Sequence, residues 1–146
     1  MEGVIIKELN VYNDDRGWLS ELFRHDETDF RPVMSYVSMT RPGVARGPHE
    51  HIDQSDFFCF LGSFRLYLWD NRDGSSTYRE KIVFETKGKP VIAIVPPRVV
   101  HAYKNIGQAD GLVLNLPDRL YRGQGKKDPV DEVRYEDDPA SPFRIE

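Results

Sequence analysis

The sequence is poor in the features that mark secreted, membrane-spanning and helical proteins. It has one cysteine in 146 residues, Cys59, so no internal disulfide can form. That thiol sits inside the apolar run Phe57–Leu61 and reads as a small buried hydrophobe rather than a nucleophile. No apolar run approaches the ~18 residues a membrane-spanning helix needs. The N-terminal stretch Met1–Glu8 lacks the basic segment and long apolar block of a secretory signal, which makes a cytoplasmic location the expectation. Positive charge is not in excess: 20 Lys and Arg face 24 Asp and Glu, a net charge of -4. General nucleic-acid binding by phosphate neutralisation is therefore disfavoured, while a local basic pocket stays open. Apolar residues rarely recur at helical spacing, and the one plausible helix is the short Asp26–Phe30.

What the chain has instead is a series of short β-rich runs punctuated by Gly, Pro, Asn and Asp, the pattern of an antiparallel sandwich or barrel. Length and composition fit a single domain over 1–146. Strands are expected at Val4–Leu9, Trp18–Arg24, Val33–Thr40, Val44–His51, Phe57–Leu61, Phe64–Asp70, Tyr78–Glu85, Val91–Val95, His101–Asn105 and Leu112–Leu116. Asn13–Gly17 and Asn71–Gly74 read as turns, and Gly62-Ser63 as the tip of a hairpin. From Pro117 the chain reads as loop and tail, and the recurrence of Val133, Tyr135, Phe143 and Ile145 predicts a tail that is docked.

The chemistry concentrates in Ala45–Gly62. Side chains alternate along a strand, so His49 and His51 point to the same side, with the acid Asp56 five residues on. With His101 they supply three imidazoles and a carboxylate, a donor set suited to Zn, Fe, Mn or Ni. The same residues also serve as polar strand residues satisfied by neighbouring carbonyls, or as acid–base groups. His25, in a charged run, reads as solvated, and Trp69, Phe57, Phe58 and Phe60 as core or subunit interface.

Two half-motifs here resemble those of the cupins. His49, His51, Asp56 and Gly62 match the first half, and Pro96, His101 and Asn105 the second, with Arg98 where the pattern has glycine. The resemblance implies an all-β cupin jelly roll, a double-stranded β-helix barrel holding its site inside, with N-terminal strands and a docked C-terminal tail. A narrower resemblance covers nearly the whole chain. Asp15–Arg24, Arg46-Gly47-Pro48-His49, Asp70-Asn71-Arg72, Pro96–Tyr103, Tyr121 and Asp131–Pro139 are similar to segments of the dTDP-4-dehydrorhamnose 3,5-epimerase family of sugar-nucleotide cupins.

That resemblance implies a homodimeric isomerase of deoxysugar and polysaccharide biosynthesis that works without a metal on a dTDP-4-keto-6-deoxy-hexose. His49 would abstract a proton, Tyr121 would be the acid on the opposite face, and His101 would lie in the pocket. Arg16, Glu21 and Arg46 would hold the nucleotide. The Arg46–His51 segment is also similar to the sugar-nucleotide 3,4-ketoisomerases, in which reading His51 assists His49. These residue types suit the reaction, because a C–H beside a keto group needs a base on one face, a proton donor on the other, and a donor or cation for the enolate. Two positions depart from the epimerase pattern. Asp56 falls at or near the place of a lysine that stabilises the enolate, and the chain ends at Glu146 before the aspartate that pairs with the base. Two alternatives therefore stand beside the isomerase: a cupin that binds a nucleotide sugar without turning it over, and an enzyme using a divalent metal on His49, His51, Asp56 and His101.

Overall fold

The computed structural model describes all 146 residues and is built of β-strands. They are β1 (Ile5–Glu8), β2 (Tyr12–Asp14), β3 (Gly17–Leu19), β4 (Tyr36–Thr40), β5 (Ala45–Glu50), β6 (Asp56–Leu61), β7 (Phe64–Asp70), β8 (Lys81–Glu85), β9 (Val91–Val95), β10 (Val99–Asn105), β11 (Gly111–Asn115) and β12 (Val133–Arg134). One sheet has the order β1-β9-β6-β11-β4, the facing sheet β12-β5-β10-β7-β8, and β2-β3 form a separate hairpin. All pairings are antiparallel, and the two sheets close on each other as a jelly roll.

Alternation along the strands explains both core layers. Phe58 and Phe60 of β6 and Phe64, Leu66 and Leu68 of β7 turn into the barrel, where they meet Ala93, Val95, Val99, Tyr103 and Val113. The opposite faces are apolar as well, because each is covered. Phe57, Cys59 and Ile92 lie under Leu9, Leu22, Phe23 and Phe30, and Tyr67 and Trp69 lie under Tyr135, Phe143 and Ile145 of the tail. A sheet covered on both sides reads as a continuous apolar run, which is why β6 has the sequence Asp-Phe-Phe-Cys-Phe-Leu.

Four expectations are corrected. Asp26–Phe30 contains turns and bends but no helix, since Phe23 and Phe30 both pack on the Phe57 ring and hold the segment across the sheet. Five residues form too few intrahelical bonds to resist that. The strand expected at Trp18–Arg24 ends at Leu19, and the turn expected at Asn13–Gly17 includes part of the β2–β3 hairpin. The strand expected at Tyr78–Glu85 begins only at Lys81, because the preceding residues turn around the buried Asp70 carboxylate, which accepts from Ser75 Oγ at 2.7 Å and Thr77 Oγ1 at 2.5 Å. The tail is docked as expected. β12 pairs with β5, Val133 opposite Glu50 and Arg134 opposite His49.

Candidate active site

The alternation of β5 divides its residues between two tasks. Glu50 turns outward and is buried under the tail, accepting from Tyr135 Oη at 2.8 Å and from Asn71 Nδ2 at 3.1 Å. His49 and His51 turn the other way, and both line a cleft of about 1640 Å³. That exceeds the ~300–1,000 Å³ of an ordinary small-molecule pocket and leaves room for a large ligand. Its walls include Tyr36, Arg46, Tyr121 and Glu132.

Close backbone approach sets the first histidine. His49 stands opposite His101 in the β5–β10 register, and two residues before it, within β5, Gly47 has φ +79°. A Cβ on Gly47 would lie 2.6 Å from the His101 carbonyl oxygen, so only glycine lets the two strands meet here. The rings of His49 and His101 pack edge to face with centroids 4.5 Å apart. Burial and the two neighbouring imidazoles lower the His49 pKa to about 2, so it is neutral at physiological pH. Its Nδ1 lies 3.8 Å from Glu132 Oε1, and both side chains are largely shielded from solvent.

His51 is in a different electrostatic setting. Burial opposes its charge, but the Asp56 carboxylate beside it and the Asp131 carbonyl facing Nδ1 outweigh burial and raise its pKa to about 9. The Asp131 carboxylate itself caps the backbone N–H groups of Ile52, Asp53 and Gln54 at 2.8–3.0 Å, fixing the turn that follows β5. His101 is buried beneath the cleft wall rather than in the pocket, and its Nδ1 is 3.0 Å from the Val99 carbonyl. Burial lowers its pKa. Asp56 is buried at the start of β6. Its Oδ1 accepts from Asn115 Nδ2 at 2.7 Å and Gln54 Nε2 at 2.8 Å, while its Oδ2 lies 3.2 Å from His51 Nε2 and 3.5 Å from His101 Nε2.

Most of the residues singled out in the sequence come together. His49, His51, Arg46 and Tyr121 share the cleft, with His101 and Asp56 directly behind it. Arg46 reaches across to β4, donating to the Met39 carbonyl at 2.9 Å and to Thr40 Oγ1 at 3.2 Å. Tyr121 is half exposed in the segment leading to the tail, its backbone N–H on Met34 Sδ. Arg16 and Glu21 do not line the cleft. The Arg16 side chain is 90% exposed on the β2–β3 hairpin and paired with Asp14, and Glu21 pairs with Arg24. Asn105, matched to the second half-motif, is structural: buried, it donates to the Thr40 carbonyl at 2.7 Å and the Ala109 carbonyl at 2.9 Å.

Sequence reasoning missed Glu132 as a partner of His49. It found no carboxylate for that histidine because it looked beyond Pro139, whereas the docking of β12 on β5 delivers one from nearer in the chain. The Asp131–Pro139 series held the only signal.

The family described as dTDP-4-dehydrorhamnose 3,5-epimerase matches residues 1–130. A probable low-salt glycan biosynthesis epimerase, Agl13 of Haloferax volcanii, is 40% identical over 124 residues, covering 81% of this chain and 79% of that protein. The spore coat polysaccharide biosynthesis protein SpsL of Bacillus subtilis is 32% identical over 111 residues, covering 74% of each. Among solved structures, a dTDP sugar isomerase from Desulfovibrio desulfuricans superposes with a TM-score of 0.82 at 24% identity, over 98% of this chain and 90% of that one.

Proposed function

Because the chain belongs to the dTDP-4-dehydrorhamnose 3,5-epimerase family, we propose that it inverts or isomerises a dTDP-4-keto-6-deoxy-hexose by proton abstraction at His49. The observation that carries this reading is the neutral His49 on the cleft wall with the Glu132 carboxylate behind it. A base must be unprotonated before it acts, and burial keeps His49 so; the same burial weakens it as a base, so the nearby Glu132 carboxylate is needed as the proton arrives. Once it takes the proton from the carbon beside the keto group, Glu132 stabilises the imidazolium, the service a carboxylate gives any catalytic histidine. Tyr121 supplies a proton to the opposite face of the ring, and Arg46 presents a guanidinium to the diphosphate.

The active form we propose is a homodimer. Strand β4 is a sheet edge, paired on one side with β11, and it exposes Tyr36, Val37 and Met39, while the β2–β3 hairpin exposes Tyr12, Trp18 and Leu19. Apolar edge strands left open invite pairing. A second copy whose hairpin covers β4 would bring its Arg16 and Glu21 toward Tyr36 at the cleft rim. A cytoplasmic site of action follows from the substrate, since a doubly charged diphosphate ester does not cross a bilayer unaided.

The test is incubation of the protein with a dTDP-4-keto-6-deoxy-hexose in D2O. Deuterium should enter the sugar next to the carbonyl, and His49→Ala should abolish this. If the folded wild-type protein exchanges no proton with any 4-keto sugar nucleotide, the reading fails. Saturable dTDP binding without exchange would then assign it to the non-catalytic alternative. The ketoisomerase reading is favoured by one observation, the second histidine in the cleft, with His51 and His49 ring centroids 5.9 Å apart. A carbonyl displaced from C4 to C3 in the product would select it.

A further inference from the structure

Strand β4 sends into the cleft one phenol whose hydrogen has no acceptor in the protein. Tyr36 stands opposite Asn115 in the β4–β11 register, so the two side chains leave the sheet on the same face. Val113, two residues before Asn115, lies in the barrel core, which makes that face the inner one. Asn115 is buried, and its amide is fixed by its surroundings. Asp56 Oδ1 is a carboxylate oxygen, which only accepts, and it lies 2.7 Å from Asn115 Nδ2. The second hydrogen of that nitrogen goes to Tyr36 Oη at 3.0 Å. Asn115 Oδ1 is left buried without a partner, a cost the fold bears to hold Nδ2 between the carboxylate and the phenol.

This orientation decides what Tyr36 can do. Its oxygen already accepts, so its own hydrogen is free for a molecule in the cleft. The other hydroxyls there are committed or displaced. Tyr103 Oη and Ser38 Oγ lie 3.3 Å apart, with the Val113 carbonyl 3.5 Å from Ser38 Oγ, and Tyr121 is half exposed. A phenol that accepts from an amide is polarised into a stronger donor. Burial raises its pKa to about 12, so it keeps its hydrogen through the neutral range. His49 lines the same cleft from the facing sheet, and a sugar ring between the two sheets meets the base on one side and this donor on the other.

We propose that Tyr36 donates its phenol hydrogen to the oxygen on C4 of the sugar, and that this bond stabilises the enolate during the reaction. The contact stands on the geometry of β4 and β11, while its catalytic part rests on the proposed sugar chemistry. As His49 takes the proton, the C–H electron pair forms the C=C bond and the carbonyl pair moves onto the C4 oxygen. Tyr36 meets that negative charge without giving up its proton. When Tyr121 returns a proton to the carbon, the pairs move back and the carbonyl reforms. A preorganised neutral donor thereby does what a lysine would do at the place of Asp56, and Asp56 contributes at one remove by orienting Asn115.

The experiment is Tyr36→Phe in the full-length protein, which removes the hydroxyl and keeps the ring, with circular dichroism as the check on folding. Deuterium incorporation from D2O into a dTDP-4-keto-6-deoxy-hexose should fall ~10²–10³-fold in kcat, the loss expected of one oxyanion donor. KM should stay within about threefold, because the bond strengthens only as charge develops. A kcat within about threefold of wild type overturns the proposal, as does a loss confined to KM. A second measurement needs no turnover: calorimetric binding of dTDP alone and of a dTDP-6-deoxy-hexose carrying a C4 hydroxyl. Tyr36→Phe should bind the sugar nucleotide roughly three- to tenfold more weakly, the worth of one hydrogen bond, and bind dTDP as wild type does. Equal affinity of the two proteins for the sugar nucleotide overturns the contact. Wild-type protein that exchanges no proton but shows this difference in binding would refute the proposed reaction and leave the Tyr36 contact standing.

Discussion

Replacing Glu132 with glutamine tests the carboxylate partner of His49 without changing its size. The neutral ground state of His49 gains little from a neighbouring charge, so the effect is confined to the state in which His49 carries the abstracted proton. At 3.8 Å, the Coulomb energy between the imidazolium and Glu132 is about 4 kcal/mol for an effective dielectric near 20 and about 2 kcal/mol near 40. The lower figure applies, because both side chains keep some solvent access and Arg134 Nε already donates to Glu132 Oε2 at 2.7 Å. A loss of about 2 kcal/mol in the transition state is roughly a 30-fold fall in kcat. KM should change little, since the lost interaction forms only as the proton moves. The assay is the rate of deuterium incorporation from D2O into a 4-keto sugar nucleotide, measured against substrate concentration with circular dichroism as the check on folding. A Glu132→Gln enzyme within threefold of wild type would refute the assignment.

Other predictions concern the scaffold. Asp70 is buried, and although burial opposes its charge, the Arg72 guanidinium and the Ser75 and Thr77 hydroxyls hold its carboxyl well below the usual carboxylate range. Its stabilising effect is therefore complete above the unfolded-state pKa of ~3.9 and is lost as pH falls below it. Asp70→Asn should cost about 2–4 kcal/mol at pH 7, and the gap in Tm between variant and wild type should narrow as the pH is taken from 5 to 3. A gap that widens in acid would contradict this. Arg98 occupies the glycine place of the second half-motif and keeps a glycine's backbone, φ +60°, with its side chain exposed. Arg98→Gly should stabilise the protein by about 1 kcal/mol, read as a rise in the urea midpoint at unchanged slope. Cys59 is buried and its thiol is pushed up to about 12, so an aromatic disulfide reagent should modify it only after denaturant is added.

Much of the fold was legible because it rests on local rules. The two-residue period of β5 puts His49 and His51 on one side whatever lies around them. The Gly62-Ser63 turn joins two apolar strands, with Gly62 at φ +138°, a conformation few other residues adopt. The alternation of Phe64, Leu66 and Leu68 against Tyr67 and Trp69 identified two distinct layers of β7. Sequence alone also assembled the residue types of the site, because each half-motif is a short stretch of chain, one running from β5 into β6 and the other along β10. It overreached at Asp26–Phe30, where packing against Phe57 outweighs a weak local preference.

Only the tertiary structure decided what those side chains can do. Whether His49 has a carboxylate depends on β12 crossing β5, a contact between residues about 80 positions apart that no local spacing encodes. The place of Arg16 on the β2–β3 hairpin and of Glu21 just after it, both outside the cleft of their own chain, follows from packing and not from their motif. Asp56 in sequence is an acid where a cation was expected. In the fold it is one oxygen tied by Gln54 and Asn115 and another facing two imidazoles. Charge type is set by the residue, but which atoms it meets, and how far water is excluded from them, is set by the strands that bring distant segments together.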